Sequence, residues 1–313
     1  MRDSRLKSHL LVLWNLCHDV WTILLEATLM VMDKVYSLLH KVPLVVDVDS
    51  SIRYIVEHRC SVARYGDGEM KFIIGGHTWF QQSNPLLKER LTTILTNEDP
   101  CLLVCIPGIF GSLDFYAPEF RDYWRKYIVR HRRQWYQVID RHHVYYDAFV
   151  SRCYLPYKDK SNAKCYFELW KQLWSGRDLL IVEGEKTRLG VGNDLFDNTR
   201  NISRILGPNT DAFAHYEALL GEVKKYDTGR LVLLALGPTA TVMAADLSKE
   251  GYQAIDIGHL DIEYEWFLRN VDHKVPVDGK FVNEAGAGKG VGACDDEKYL
   301  QQVVWKYDAS QKK

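Results

Sequence analysis

The sequence predicts an α/β protein with a mainly parallel sheet flanked by helices, and three observations carry that prediction. Short apolar runs alternate with helix-length segments from Ser61 onward. The intervening segments are long enough for crossover helices, and several runs lead straight into Gly-rich or acidic turns, where parallel sheets gather ligands at strand carboxyl ends. Composition agrees, since 313 residues that are 47% hydrophobic, 12% aromatic and 26% charged can bury a full core, which excludes disorder over most of the chain. No repeat at a fixed period is present, so solenoids and propellers drop out. The 40 basic and 41 acidic side chains balance to a formal charge of -1, so polyanion binding by bulk charge is excluded and no nucleic-acid partner is expected. Seven scattered cysteines, an odd number, read as reduced thiols of a cytoplasmic protein, and Cys101 and Cys105 lack the second pair that zinc needs.

The elements follow in order. Residues 4–42 contain no Gly or Pro, and Leu10, Leu13, Cys17, Trp21, Leu24, Val31, Val35 and Leu38 recur at helical spacing, which predicts a long amphipathic helix ended by Pro43. Asp19 and Glu26 argue against a spanning helix, each costing roughly 2.5–3.5 kcal/mol near a bilayer centre, and no small-residue cleavage site marks a signal peptide. The helix is therefore expected to pack on its own domain or on a second subunit. Arg2, Arg5 and Lys7 keep a second placement open, on an anionic membrane surface at the inner face of the membrane. Candidate strands are Ser61–Arg64, Cys101–Ile106, Leu179–Val182, Leu231–Leu236 and Ala254–Ile257. Beyond Asn270 the chain reads as loop, with Gly286, Gly288, Gly290 and Gly292 before a charged terminus. The expected division is a helical extension over 1–45, a main domain over 46–270 and a peripheral tail over 271–313.

Chemistry concentrates in the turns. Arg64-Tyr65-Gly66-Asp67-Gly68-Glu69 ends an apolar run in two carboxylates two residues apart. On an extended backbone Asp67 and Glu69 would point the same way and offer hard oxygen ligands to Mg²⁺ or Mn²⁺, while Gly66 and Gly68 let a diphosphate approach and Arg64 adds a charge-assisted contact. The competing reading is an ordinary acidic turn. Gly237-Pro238-Thr239-Ala240-Thr241 reads as strand, tight turn and helix start, whose free amides suit a phosphate or a ribose hydroxyl; a plain capped helix is the alternative. Gly190, Gly192 and Asn193, near Lys186 and Arg188, form a Gly-rich loop suited to a diphosphate or sugar, or simply a connection. It is not a dinucleotide fingerprint, because Leu195 stands where the third Gly belongs, and Gly288-Lys289-Gly290 lacks the Ser or Thr of a phosphate loop. Asp256, His259, Asp261, Glu263 and Glu265 crowd ionisable groups after a strand beside Tyr264 and Trp266, so one carboxylate could deprotonate an acceptor hydroxyl; the alternative is a solvated turn. Arg121–His143 holds seven Lys or Arg against two Asp among aromatics, which suits either phosphate-rich partners or a solvated face over packed rings.

Taken together, RYGDGE (64–69), VEGEKTRLGVGNDLF (182–196), LGPTATVMAADL (236–247) and IDIGHLDIEYEWF (255–267) resemble the GT-D-fold glycosyltransferases of bacterial surface glycosylation, over about Val62 to Phe267. The resemblance implies a Rossmann-like nucleotide-sugar transferase in which Asp67 and Glu69 occupy a D-x-E metal motif, with Mn²⁺ (or Mg²⁺) and a UDP-hexose donor. It further implies Glu265 as general base, with His259 and Asp261 lining the site, and a saccharide, glycoprotein or glycolipid acceptor. Two other readings stay open: a metal-dependent nucleotide-diphosphate hydrolase, and a non-catalytic carbohydrate-binding or scaffold protein. The helical extension lies outside the resemblance, as a contact to a membrane or to a second copy.

Overall fold

The computed structural model describes residues 2–282, 284–286 and 290–308, with the backbone alone for 2–13. The side chains of Arg2, Arg5, Lys7, Leu10 and Leu13, and all of Gly288 and Lys289, lie outside the described residues. Nine strands form one sheet: β1 (Leu44–Val46), β2 (Ser61–Arg64), β3 (Leu102–Ile106), β4 (Val144–Asp147), β5 (Asp178–Gly184), β6 (Asn201–Gly207), β7 (Leu231–Ala235), β8 (Gln253–Asp256) and β9 (Val303–Lys306). Their order is β1-β4-β3-β2-β8-β7-β5-β6-β9, and every paired register is parallel. The helices are α1 (Arg2–Leu39), α2 (Val48–His58), α3 (Asp67–Ile73), α4 (Pro85–Ile94), α5 (Pro118–Val138), α6 (Ala163–Trp174), α7 (Tyr216–Val223), α8 (Pro238–Lys249), α9 (Leu260–Leu268) and α10 (Glu297–Gln302).

Parallel strands covered on both faces should be apolar in their middle, and the central ones are. Leu231 to Leu234 and Leu179 to Val182 are fully buried, as are Val62 and Ala63. These central runs are the strands that periodicity finds. The four additional strands carry weaker signals. β1 has three residues, β4 alternates Tyr145 with half-exposed Tyr146, β6 is interrupted by Asn201, Ser203 and Arg204, and β9 lies in the segment expected to be peripheral. That tail in fact closes the sheet edge on β6.

Helix α1 ends at Leu39, ahead of Pro43, and packs along one side of α5. The contact holds a buried bidentate pair, with Arg132 Nε 2.7 Å and Nη2 3.1 Å from the two oxygens of Asp33. Arg130 meets Glu26 at 3.1 Å. Within α5 the aromatic side chains Trp124 and Trp135 are buried, so the basic segment is a helix face over packed rings. All seven cysteines are free.

The chain order reverses between β2 and β8. Strands β3, β4 and β1 lie on one side of that junction, and β7, β5, β6 and β9 on the other. A crevice forms outside the carboxyl ends of strands at such a switch point, because the helices leaving its two sides diverge.

Candidate active site

A cavity of about 620 Å³ opens at this switch point. It is lined by residues 64–69 after β2, Ala235 to Gly237 after β7, and Asp256, Gly258 and His259 after β8. Phe120, Tyr123 and Trp124 of α5 form a further wall, and Trp79, Phe80 and Phe281 another.

Arg64 is locked at the floor. Its Nε donates to Asp256 O at 2.7 Å and its Nη2 to Asp256 Oδ1 at 2.7 Å, while Thr241 Oγ1 donates to Arg64 O at 2.9 Å. Gly258 makes room for this arrangement. It has φ +51, a conformation that favours glycine, and a Cβ there would collide with the guanidinium. Gly237 has φ +58, and a Cβ there would lie 3.1 Å from Phe80.

Asp67 and Glu69 are not on extended backbone. They occupy the first turn of α3, where residues two apart point in different directions. Asp67 turns toward α5, and its Oδ2 accepts from Tyr123 OH at 2.5 Å. Glu69 folds back so that Oε2 accepts from Gly66 N at 2.8 Å. Burial, reinforced by the nearby Asp256 charge, pushes the Glu69 carboxyl up to about 7. Among the described residues no group of three or more His, Cys, Asp or Glu is placed to hold a metal. The donor set still fits a hard divalent ion of the kind bound by one or two carboxylates with substrate phosphates and water. Asp67 lines the cavity, its Oδ1 making no hydrogen bond among the described residues, and a cation would relieve the charge-burial cost at Glu69.

The 259–265 block divides. His259 and Asp261 line the cavity, but Glu265 does not. Glu265 Oε1 accepts from Asn193 Nδ2 at 2.7 Å and Lys280 Nζ at 3.1 Å, and its Oε2 from Arg269 at 3.1 Å. Burial opposes its charge, yet Lys280 and Asn193 outweigh that and hold it below the usual carboxylate range. A carboxylate so committed, and outside the cavity lining, does not sit where the expected general base would meet an acceptor hydroxyl. Asp261 is equally engaged, by Lys280 at 2.9 and 2.7 Å, Gly190 N at 2.9 Å and Asn193 at 2.8 Å. Burial and the adjacent Arg152 push His259 down to about 3, so its ring is neutral. Arg152 and Lys274 pair with Glu284, which they hold far below its ordinary value against the effect of burial.

The other expected ligand contacts are relocated. Gly190 and Asn193 hold Asp261 and do not line the cavity; nor does Gly192. Buried Arg188 donates to the carbonyls of Gly279 and Gly292 at 2.7 and 2.5 Å. Of the 237–240 turn, Gly237 reaches the cavity, whereas Pro238, Thr239 and Ala240 are buried in the first turn of α8. Sequence reasoning missed Lys280, Glu284 and Glu119. Lys280 and Glu284 lie in the tail. Glu119 lines the cavity at the start of α5 and, among the described residues, makes no ion pair or hydrogen bond.

Residues 62–285 match the glycosyltransferase GT-D fold family, which spans all the elements around the cavity. The chain belongs to this family. A solved structure described as the highly conserved domain of unknown function 1792 with a distinct glycosyltransferase fold aligns with a TM-score of 0.83 at 37% identity, covering 90% of this chain and 99% of that one. Another, described as a new glycosyltransferase from Streptococcus sanguinis, aligns with a TM-score of 0.81 at 37% identity, covering 85% of this chain and all of that one. A probable glycosyl transferase Gly of Streptococcus gordonii is 39% identical over 83% of this chain, and glycosyltransferase GlyD of Streptococcus pneumoniae is 38% identical over 82%. The matched region is 38% and 32% of those two proteins, so this GT-D chain spans about a third of their length.

Proposed function

We propose that this GT-D protein is a glycosyltransferase that moves a hexose, glucose or galactose, from a UDP-sugar to a saccharide acceptor in cell-surface glycan or glycoprotein assembly. The observation that carries the reading is the cavity at the β2/β8 junction. It joins carboxylates able to share a cation with a diphosphate, fixed cations and stackable aromatics, within a family of glycosyltransferase fold.

The chain's own residues supply the donor side. The amino ends of α8 and α9 follow β7 and β8 toward the crevice, where the helix dipoles favour negative charge. Arg64 is held rigid by Asp256 and adds a fixed positive charge at the floor. Arg152 and Lys274, bridged by Glu284, add two more at the wall. Such preorganised charge acts most strongly on the diphosphate as it departs. Asp67, with Glu69, would hold Mn²⁺ or Mg²⁺. That ion supplies Lewis-acid neutralisation of the leaving diphosphate.

An acceptor hydroxyl must lose a proton as it attacks. The block 259–265 is committed to ion pairs or held neutral, whereas Glu119 lines the cavity beside Phe120 and Tyr123 with no ion pair or hydrogen bond among the described residues. We assign Glu119 that role. Exposed Trp79, whose ring lies 5.6 Å from Phe80 and 5.9 Å from Phe281, offers a face for a base or a sugar.

The test is a donor screen. Purified protein with Mn²⁺ and a panel of nucleotide sugars is scored for released nucleotide, with and without saccharide acceptors. Acceptor-stimulated release from a UDP-hexose is expected. Release that no acceptor stimulates would make the protein a hydrolase, and sugar binding indifferent to chelation without release would make it a binding module.

A further inference from the structure

Helix α1 leaves most of its circumference uncovered. Its acidic line is narrow: Asp19, Glu26 and Asp33 recur seven residues apart on one side, and Glu26 and Asp33 are answered by Arg130 and Arg132 of α5. Among the described residues the remaining surface is mainly apolar and exposed, interrupted by Asn15, His18, Thr28 and Lys34. Ile23 and Met30 form a row next to the carboxylates, Leu24 and Val31 a row on the far side, and Trp21 stands beyond them at 67% exposure.

A second helix packed against α1 would cover one seam and leave the flanking rows in water, which is why coiled-coil helices are polar outside the seam. The row of Ile23 and Met30 is as apolar as the row of Leu24 and Val31, so one partner helix does not suffice. A lipid surface covers all these rows at once. No described helix is long and apolar enough to cross a membrane, so α1 would lie along the surface. Charge complements this placement. Arg125 and Lys126 of α5 border the groove where Met30 and Glu26 meet α5; both are exposed and form no ion pair among the described residues. Cations flanking an inserted apolar helix sit at the level of lipid phosphates.

We propose that α1 is a peripheral membrane anchor that inserts its apolar rows into an anionic bilayer surface, with Arg125 and Lys126 contacting lipid phosphates. The anchoring does not depend on the glycosyltransferase reading.

The full chain is to be floated with phosphatidylcholine vesicles, with and without phosphatidylglycerol, and its mass in solution measured. Co-flotation is expected, stronger with phosphatidylglycerol. Leu24→Glu combined with Val31→Glu should lower the bound fraction by more than about tenfold, since each change removes a buried apolar side chain and adds a charge. Arg125→Glu combined with Lys126→Glu should remove the preference for phosphatidylglycerol, at about fivefold for each cation lost. All four positions are on the surface, so unchanged melting separates these effects from misfolding. Failure to float, or flotation indifferent to Leu24 and Val31, would overturn the proposal. So would a solution mass of twice 36.3 kDa without vesicle binding, which would show a second copy covering the helix.

Discussion

Gly258 shows how a single position can govern the floor of the cavity. An added methyl would meet the Arg64 guanidinium, so Gly258→Ala is expected to displace Arg64 from Asp256 and weaken nucleotide-diphosphate binding by about tenfold, the scale of one lost charge-assisted contact; calorimetric titration checks this. At Asp67 and Glu69, substitution by Ala should abolish metal-dependent release of UDP from a UDP-sugar. Glu119→Gln should instead retain donor binding and lose about 10²-fold or more in transfer to the acceptor, the usual contribution of a positioned base. Equal loss of donor binding and transfer in Glu119→Gln would place that residue elsewhere. Glu263 supports a pH prediction. Burial raises its carboxyl from 4.5 to about 7, while its Oε2 accepts from the amides of Tyr154 and Leu155. The folded protein therefore holds the extra proton: stabilisation from this group is complete below about 4.5 and is lost as pH rises through about 7. Over that window Glu263→Gln should remove up to roughly 3 kcal/mol of the decline in unfolding free energy, measured by denaturant titration at several pH values. An unchanged pH slope would mean that Glu263 titrates normally.

Elements differ in how openly the sequence declares them. β3 and β7 are continuous apolar runs, and β2, β5 and β8 hold apolar centres between polar ends, because both their faces are covered; periodicity finds each to within two residues at either end. β1 and β9 sit at the edges, where one side needs no partner and short or alternating sequence suffices, and β6 carries Arg204 because its guanidinium is neutralised by Glu183 at 2.6 Å. The site residues were legible in the same graded way. Arg64, Asp67, Glu69, Gly237, His259 and Asp261 do line the cavity, since each follows an obvious strand. The partners of Glu265 were not legible, because Lys280 comes from a loop with no periodic signal. Lys280 is buried against both Asp261 and Glu265. Lys280→Ala leaves two carboxylates without their counter-charge, so a loss of about 3–5 kcal/mol is expected in denaturant unfolding, partly recovered by adding Asp261→Asn and Glu265→Gln. A stability within error of the parent would remove this pair from the framework of the site.

At the scale of the whole molecule, the sheet, the switch point and the amphipathic helix each have a separate part. The parallel sheet brings loops distant in sequence to one edge, so residues 64–69, 237 and 256–261 meet although nearly two hundred positions separate the first from the last. Helix α5 links that cavity to α1: Tyr123 holds Asp67, and Arg132 near its other end holds Asp33. The most direct measurement is a calorimetric titration of UDP into the purified protein, repeated with Mn²⁺, with Mn²⁺ followed by EDTA, and with Asp67→Ala. Binding strengthened by Mn²⁺, reversed by EDTA and lost in Asp67→Ala is the expected result. Affinity indifferent to both the ion and Asp67 would contradict a diphosphate held by a cation at the β2/β8 junction.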